Sequence, residues 1–189
     1  MTIAMDALRA NQEVQDRLAG PFDFRVATDP REPVWFSVDG AESIELIGEN
    51  GAGGAFVRLE GSPRVLYVSS EGEAGIIAAN LDAFVRLIVA CPYWRDLLTF
   101  SGNGNLDEMR RAAPVLDGAT LDEEDDLDEA RAFLIAELGL EPDDPVGALH
   151  RAVSTSDVVV RAPDGTPCAP LAFGRSTIDE NPMFGEFEE

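Results

Sequence analysis

The segment Ile47-Gly-Glu-Asn-Gly-Ala-Gly-Gly-Ala-Phe56 holds glycines at 48, 51, 53 and 54, and Gly48 and Gly53 stand at the G-x-x-x-x-G spacing of a phosphate-binding loop. That chemistry needs a lysine next, to neutralise phosphate charge, and then a Ser or Thr to hold the metal ion. Gly54 and Ala55 occupy those positions, and all 14 basic residues of the chain are arginines. The dinucleotide pattern G-x-G-x-x-G fails as well, because Phe56 stands where the third glycine belongs. The segment reads as a turn between strands, and no nucleotide or other cofactor is expected.

Nucleophilic catalysis through an imidazole would have to use His150, the single histidine, with Cys168 as the conceivable nucleophile. The flanks of that cysteine, Thr166-Pro-Cys-Ala-Pro170, carry none of the patterns that accompany a catalytic thiol. A histidine near the end of a predicted helix more often places its charge at the negative end of the dipole. Cys91 and Cys168 have no metal-ligand spacing and read as two reduced thiols, so zinc is not expected. With 36 acids, carboxylate pairs arise freely by chance and none stands out. Nothing here demands an enzyme.

The remaining candidates are acids. Asp122 to Glu129 contains one apolar residue, Leu127, among carboxylates, and lacks the alternation and central glycine of a calcium loop. Asp122, Glu123, Glu124, Asp125 and Asp126, with Glu71 and Glu73 in a turn, are candidate contacts for a basic partner. The alternative is a solvated helix start whose acids suit the dipole. A net charge of −22 argues against nucleic acid and anionic membranes, and favours fast encounter with a cationic protein.

These residues must be positioned by short elements. An amphipathic helix is expected from about 4 to 18, then a strand at Val34-Trp-Phe-Ser-Val38. A meander follows, with strands around 42–48, 55–60 and 65–69 and a fourth from Ile76. Asn80 caps a helix with Leu81, Phe84, Val85, Ile88 and Val89 on one stripe, interrupted at Pro92. A short helix from Leu106 should stop at Pro114, and Thr120 with Glu123 reads as a capping box for a helix over 121–138 closed by Gly139. Asp144-Pro145 begins another helix, and the Pro163-Asp-Gly165 turn joins a hairpin. The acidic end, 177–189, is expected to be mobile. Two parts are expected: an α+β domain over 1–114 and a C-terminal helix and hairpin extension over 115–189. No apolar run approaches the ~20 residues that span a bilayer, and the N-terminus lacks signal-peptide features, so a cytoplasmic protein is expected.

The order of elements resembles the SUKH superfamily. The resemblance rests on Val34-Trp-Phe36, the stretch from Ile47 to Leu59, the stretch V-L-Y-V-S-S-E-G-E from Val65 to Glu73, and the helix start Ala79-Asn-Leu-Asp-Ala-Phe-Val85. It covers about residues 34–100 and leaves the region after 115 uncovered. It implies an α+β fold, with a mostly antiparallel, curved sheet and helices packed on one side. It also implies a non-enzymatic protein: in bacteria an immunity protein that neutralises a polymorphic toxin, or alternatively an intracellular regulator or scaffold. A basic toxin domain would then meet the concave sheet face or the acidic surface.

Overall fold

The structure, a computed structural model, describes residues 3–181. It is α+β, with seven α-helices and a mixed, open six-stranded sheet among those residues. The expected meander forms its centre: β3 (Ile44–Glu49), β4 (Ala55–Leu59), β5 (Val65–Val68) and β6 (Glu73–Ala78) pair antiparallel in sequence order. The short strand β1 (Arg25–Val26) pairs antiparallel with β3 at one edge. At the other edge β8 (Ala169–Pro170) runs parallel to β6, which makes the sheet mixed.

Alternation along each strand sorts the side chains into two cores. Ile47, Phe56, Tyr67 and Ile77 face the helices. Leu46, Val57, Leu66 and Ile76 face the opposite way. The helical side is closed by α3 (Leu81–Ala90), whose cap is the expected one: Asn80 Oδ1 accepts from Ala83 N at 2.8 Å. Phe84 sits in an aromatic cluster with Phe24 and Phe56, its ring centroid 5.0 Å from each. After Pro92 the chain makes α4 (Trp94–Thr99).

The other face is covered too. A ribbon of β2 (Ser37–Val38) and β7 (Val160–Arg161) lays Phe36, Val38 and Val160 over it. This second sheet face is therefore not open to solvent at those positions. The strand expected over 34–38 is shorter than predicted, and Trp35 is 39% exposed. Phe36 and Val38 are buried, whereas Trp35 stands at a bend before β2, outside its pleat. The expected hairpin forms around Gly165, with Cys168 N donating to Val160 O at 2.8 Å, but its arms then separate to β2 and β6.

Three helical expectations are corrected. The N-terminal helix is two, α1 (Met5–Ala10) and α2 (Gln12–Ala19), because Asn11 is extended and its side chain caps α2 at Val14 N. α5 (Leu106–Glu123) does not stop at Pro114 but passes through it. The lost hydrogen bond is outweighed by burial of Met109, Ala112 and Leu116 on either side of the proline. Thr120 is accordingly no cap, since its Oγ1 donates to Leu116 O at 2.8 Å within α5. α6 begins six residues later than expected (Leu127–Leu138) and ends as predicted at Gly139, which is left-handed at φ 60°. α7 (Pro145–Ser154) starts as expected, with Asp144 Oδ1 accepting from Gly147 N at 2.9 Å.

The division expected at 114/115 falls inside α5, and residues from both sides, including Phe84, Leu134 and Leu149, share one core. Of the acidic end, residues 177–181 include a 3₁₀ turn at Ile178–Glu180, and 182–189 lie outside the described residues.

Candidate functional site

The glycine-rich turn is filled by a side chain of its own. Asn50 is 7% exposed, and its Oδ1 accepts from Gly54 N at 2.7 Å while its Nδ2 donates to Tyr67 Oη at 3.3 Å. Gly53 N donates to Asn50 O, and Gly51 N donates to Asp23 Oδ1 at 2.7 Å. Amides that would have to face a phosphate are thus engaged, one of them by a carboxylate that repels anions. Gly54 is required for packing: a Cβ there would stand 2.5 Å from Tyr67 Oη. Gly48 is required likewise, since a Cβ would overlap the Phe24 ring.

Beside this turn lies a polar cleft of about 410 Å³ against α4, lined by Asp23, Asn50, Trp94, Arg95 and Asp96 among others. The Arg95 guanidinium lies over the Tyr67 ring, 5.6 Å from its centroid, and its Nη2 is 3.5 Å from Glu73 Oε2. Burial raises the Tyr67 phenol above its ordinary range, against the opposing pull of Arg95. Asp96 is exposed, yet its crowded surroundings desolvate the carboxyl and raise its pKa, and the charge of Glu123 adds to this against the pull of Arg95. Glu73, a sequence candidate, is therefore tied to Arg95, whereas Glu71 stands exposed in the β5–β6 turn.

The second acidic candidate is the junction of α5 and α6. Asp122 to Asp126 are all exposed and make no ion pair among the described residues, whereas their neighbours Asp128 and Glu129 pair with Arg131 and Arg17. Their placement corrects the sequence reading. Asp122 and Glu123 do not open a helix; they occupy the last turn of α5, at the negative end of its dipole, and that turn contains no basic residue. Glu123 lies close enough to Asp96 on α4 for its charge to help raise the Asp96 pKa.

The remaining groups are held by the fold. His150 Nε2 is 2.8 Å from Gly104 O, and the ring stacks on Phe173 with centroids 5.2 Å apart. Cys91 is buried, and desolvation pushes its thiol up to about 11, despite a hydrogen bond shared with Tyr93. Burial pushes the Tyr93 phenol well above its ordinary range. Among the described residues no three His, Cys, Asp or Glu side chains converge as a metal site, and no helix is long and apolar enough to cross a membrane.

Sequence reasoning missed Asp23, Tyr67, Arg95 and Asp96, which converge from three separate segments. A signal was present only at Asn50, an asparagine opening a glycine turn. No family model, curated protein or solved structure matches the chain.

Proposed function

We propose that this chain is a non-enzymatic binding protein of the SUKH type, acting in the cytoplasm as an immunity protein that captures and neutralises a basic toxin domain. One observation carries the reading: five exposed carboxylates, Asp122 to Asp126, stand without ionic partners among the described residues, at the junction of α5 and α6. Two of them sit against the negative end of a helix dipole, a placement that costs stability in the free protein. A cationic surface docking there neutralises both the mutual repulsion and the dipole. The net charge of −22 extends that attraction beyond the contact itself. Nothing in this reading needs a reaction, a cofactor or a metal.

Co-expression with the toxin domain encoded beside the gene tests it. The expected result is cell survival and a complex that co-elutes on a sizing column. Continued killing in the presence of folded protein, with no complex, would reject immunity against that toxin and leave a regulatory or scaffold role.

A further inference from the structure

A second concavity, between α3, α5 and α6, encloses about 450 Å³, and its apolar wall includes Val89, Pro114 and Ile135. Its two arginines already serve acids of its own lining: Arg131 pairs with Asp117 at 2.7 Å, and Arg86 with Asp143 at 3.8 Å. The polar cleft beside the glycine turn is built differently. Its acids, Asp23 and Asp96, make no ion pair among the described residues, and its arginine is committed elsewhere. Arg95 Nη2 donates to Glu73 Oε2 at 3.5 Å and its Nη1 to Tyr67 Oη at 3.4 Å, with the guanidinium over the Tyr67 ring.

Asp23 and Asp96 reach the cleft from separate segments. Asp23 is held left-handed at φ 47°, a conformation that residues other than glycine seldom adopt, and Gly51 N donates to its Oδ1 at 2.7 Å. Its Oδ2 accepts no hydrogen bond among the described residues. The Asp96 carboxyl accepts none there either, and Glu123 adds a further negative charge beside it. With Glu73, four carboxylates surround one guanidinium. The same cleft is lined by ring carbon of Phe22, Phe56 and Trp94, each at most 5% exposed. An anion would bring like charge to this wall, and a neutral ligand would leave both aspartates uncompensated. A Lys or Arg side chain matches both parts, with methylenes for the rings and a charged head for the carboxylates.

We propose that this cleft receives a single basic side chain, Lys or Arg, of the protein partner, its charged head on Asp23 and Asp96 and its stem against Trp94. This rests on the basic-partner reading above and adds to it an anchoring point apart from Asp122–Asp126. Those exposed charges steer encounter, whereas a side chain seated in a walled cleft is where interface binding energy concentrates. The volume of about 410 Å³ lies within the roughly 300–1,000 Å³ of ligand clefts. The hydrogen bond that fixes Asp23 limits the ordering that binding has to supply.

The probe is the peptide acetyl-Gly-Arg-Gly-amide, set against its citrulline isostere of like shape and no charge. Binding is followed by the indole N–H resonances of the two tryptophans. Trp94 lines the cleft, and Trp35, beside β2 on the other side of the sheet, is the internal control. We expect the arginine peptide to shift Trp94 saturably, with a Kd of about a millimolar, and to leave Trp35 unmoved. It should bind at least about tenfold tighter than the citrulline peptide. Asp96→Asn should weaken binding about fivefold or more. Asp23→Asn keeps an acceptor for Gly51 N and tolerates the left-handed φ, so it gives the same reading should Asp96→Asn fail to melt cooperatively. Asp164→Asn, in the hairpin turn, should leave the Kd within about twofold. Equal shifts from the two peptides, or an unchanged Kd in both cleft variants, would overturn the anchor and leave the attraction at Asp122–Asp126 to be judged by co-expression. Binding of free agmatine without binding of the arginine peptide would overturn the protein source of the cation and assign the cleft to a small amine.

Discussion

Phe84 is fully buried where the rings of Phe24 and Phe56 meet it, whereas Trp35 is 39% exposed and touches Phe36 edge-on at 5.3 Å. Truncation should cost accordingly. Phe84→Ala removes the ring that ties α3 to β4 and leaves a cavity, an expected loss of about 3–5 kcal/mol in urea unfolding. Trp35→Ala forfeits only part of its apolar area and opens no cavity, so the loss should be smaller by at least about 1 kcal/mol. Equal losses would mean that Trp35 is packed as deeply as its size suggests, and would contradict its exposure. Both residues carry strong hydrophobic signals in the sequence. What separates them is position: Phe84 lies on the inward stripe of α3, whereas Trp35 stands at a bend before β2.

At the scale of elements, the glycine turn and α5 show local chemistry in opposite roles. In the turn, local chemistry decides: Asn50 closes its own loop by accepting from Gly54 N, and it links the turn to β5 through Tyr67. Asn50→Ala strands the Gly54 amide without that acceptor in a buried setting, so the expected loss is about 1–3 kcal/mol. A change under about 0.5 kcal/mol would show the turn to be held by the strands alone. In α5 packing overrides the local signal. A proline inside a helix costs about 3 kcal/mol, and burial of Met109, Ala112 and Leu116 is enough to offset it. The acids that follow are displaced with it, from an expected helix start to an actual helix end.

For the whole molecule, charge is the dominant global property. With −22 charges and a partner of opposite sign, encounter should be steered electrostatically, and screening lengths of about 10 Å at 0.1 M salt should suppress that steering. Raising salt is therefore expected to slow association with the basic partner more than it speeds dissociation, as read by stopped-flow mixing. Neutralising Asp122–Glu124 to the corresponding amides should lower the association rate while the thermal midpoint stays level or rises, because those charges repel one another and sit at the negative end of the α5 dipole, whereas Asp126 is the N-cap position of α6 and is left unchanged. An association rate indifferent to both salt and these substitutions would separate the acidic junction from recognition.

The sequence by itself determined the meander, the α3 cap at Asn80, the α7 start at Asp144-Pro145 and the stop at Gly139. Each is written in nearest neighbours, through alternation, a capping oxygen or a left-handed glycine. Tertiary structure alone decided the passage of α5 through Pro114, the cover that β2 and β7 place over the second sheet face, and the parting of the hairpin arms. It also decided both concavities: Asp23, Asn50 and Arg95 at one, and Val89, Pro114 and Ile135 at the other, come from separated segments. The physical reason is range. Turn and cap energies depend on residues a few positions apart, whereas burial free energy is summed over surfaces that meet only after the chain has folded.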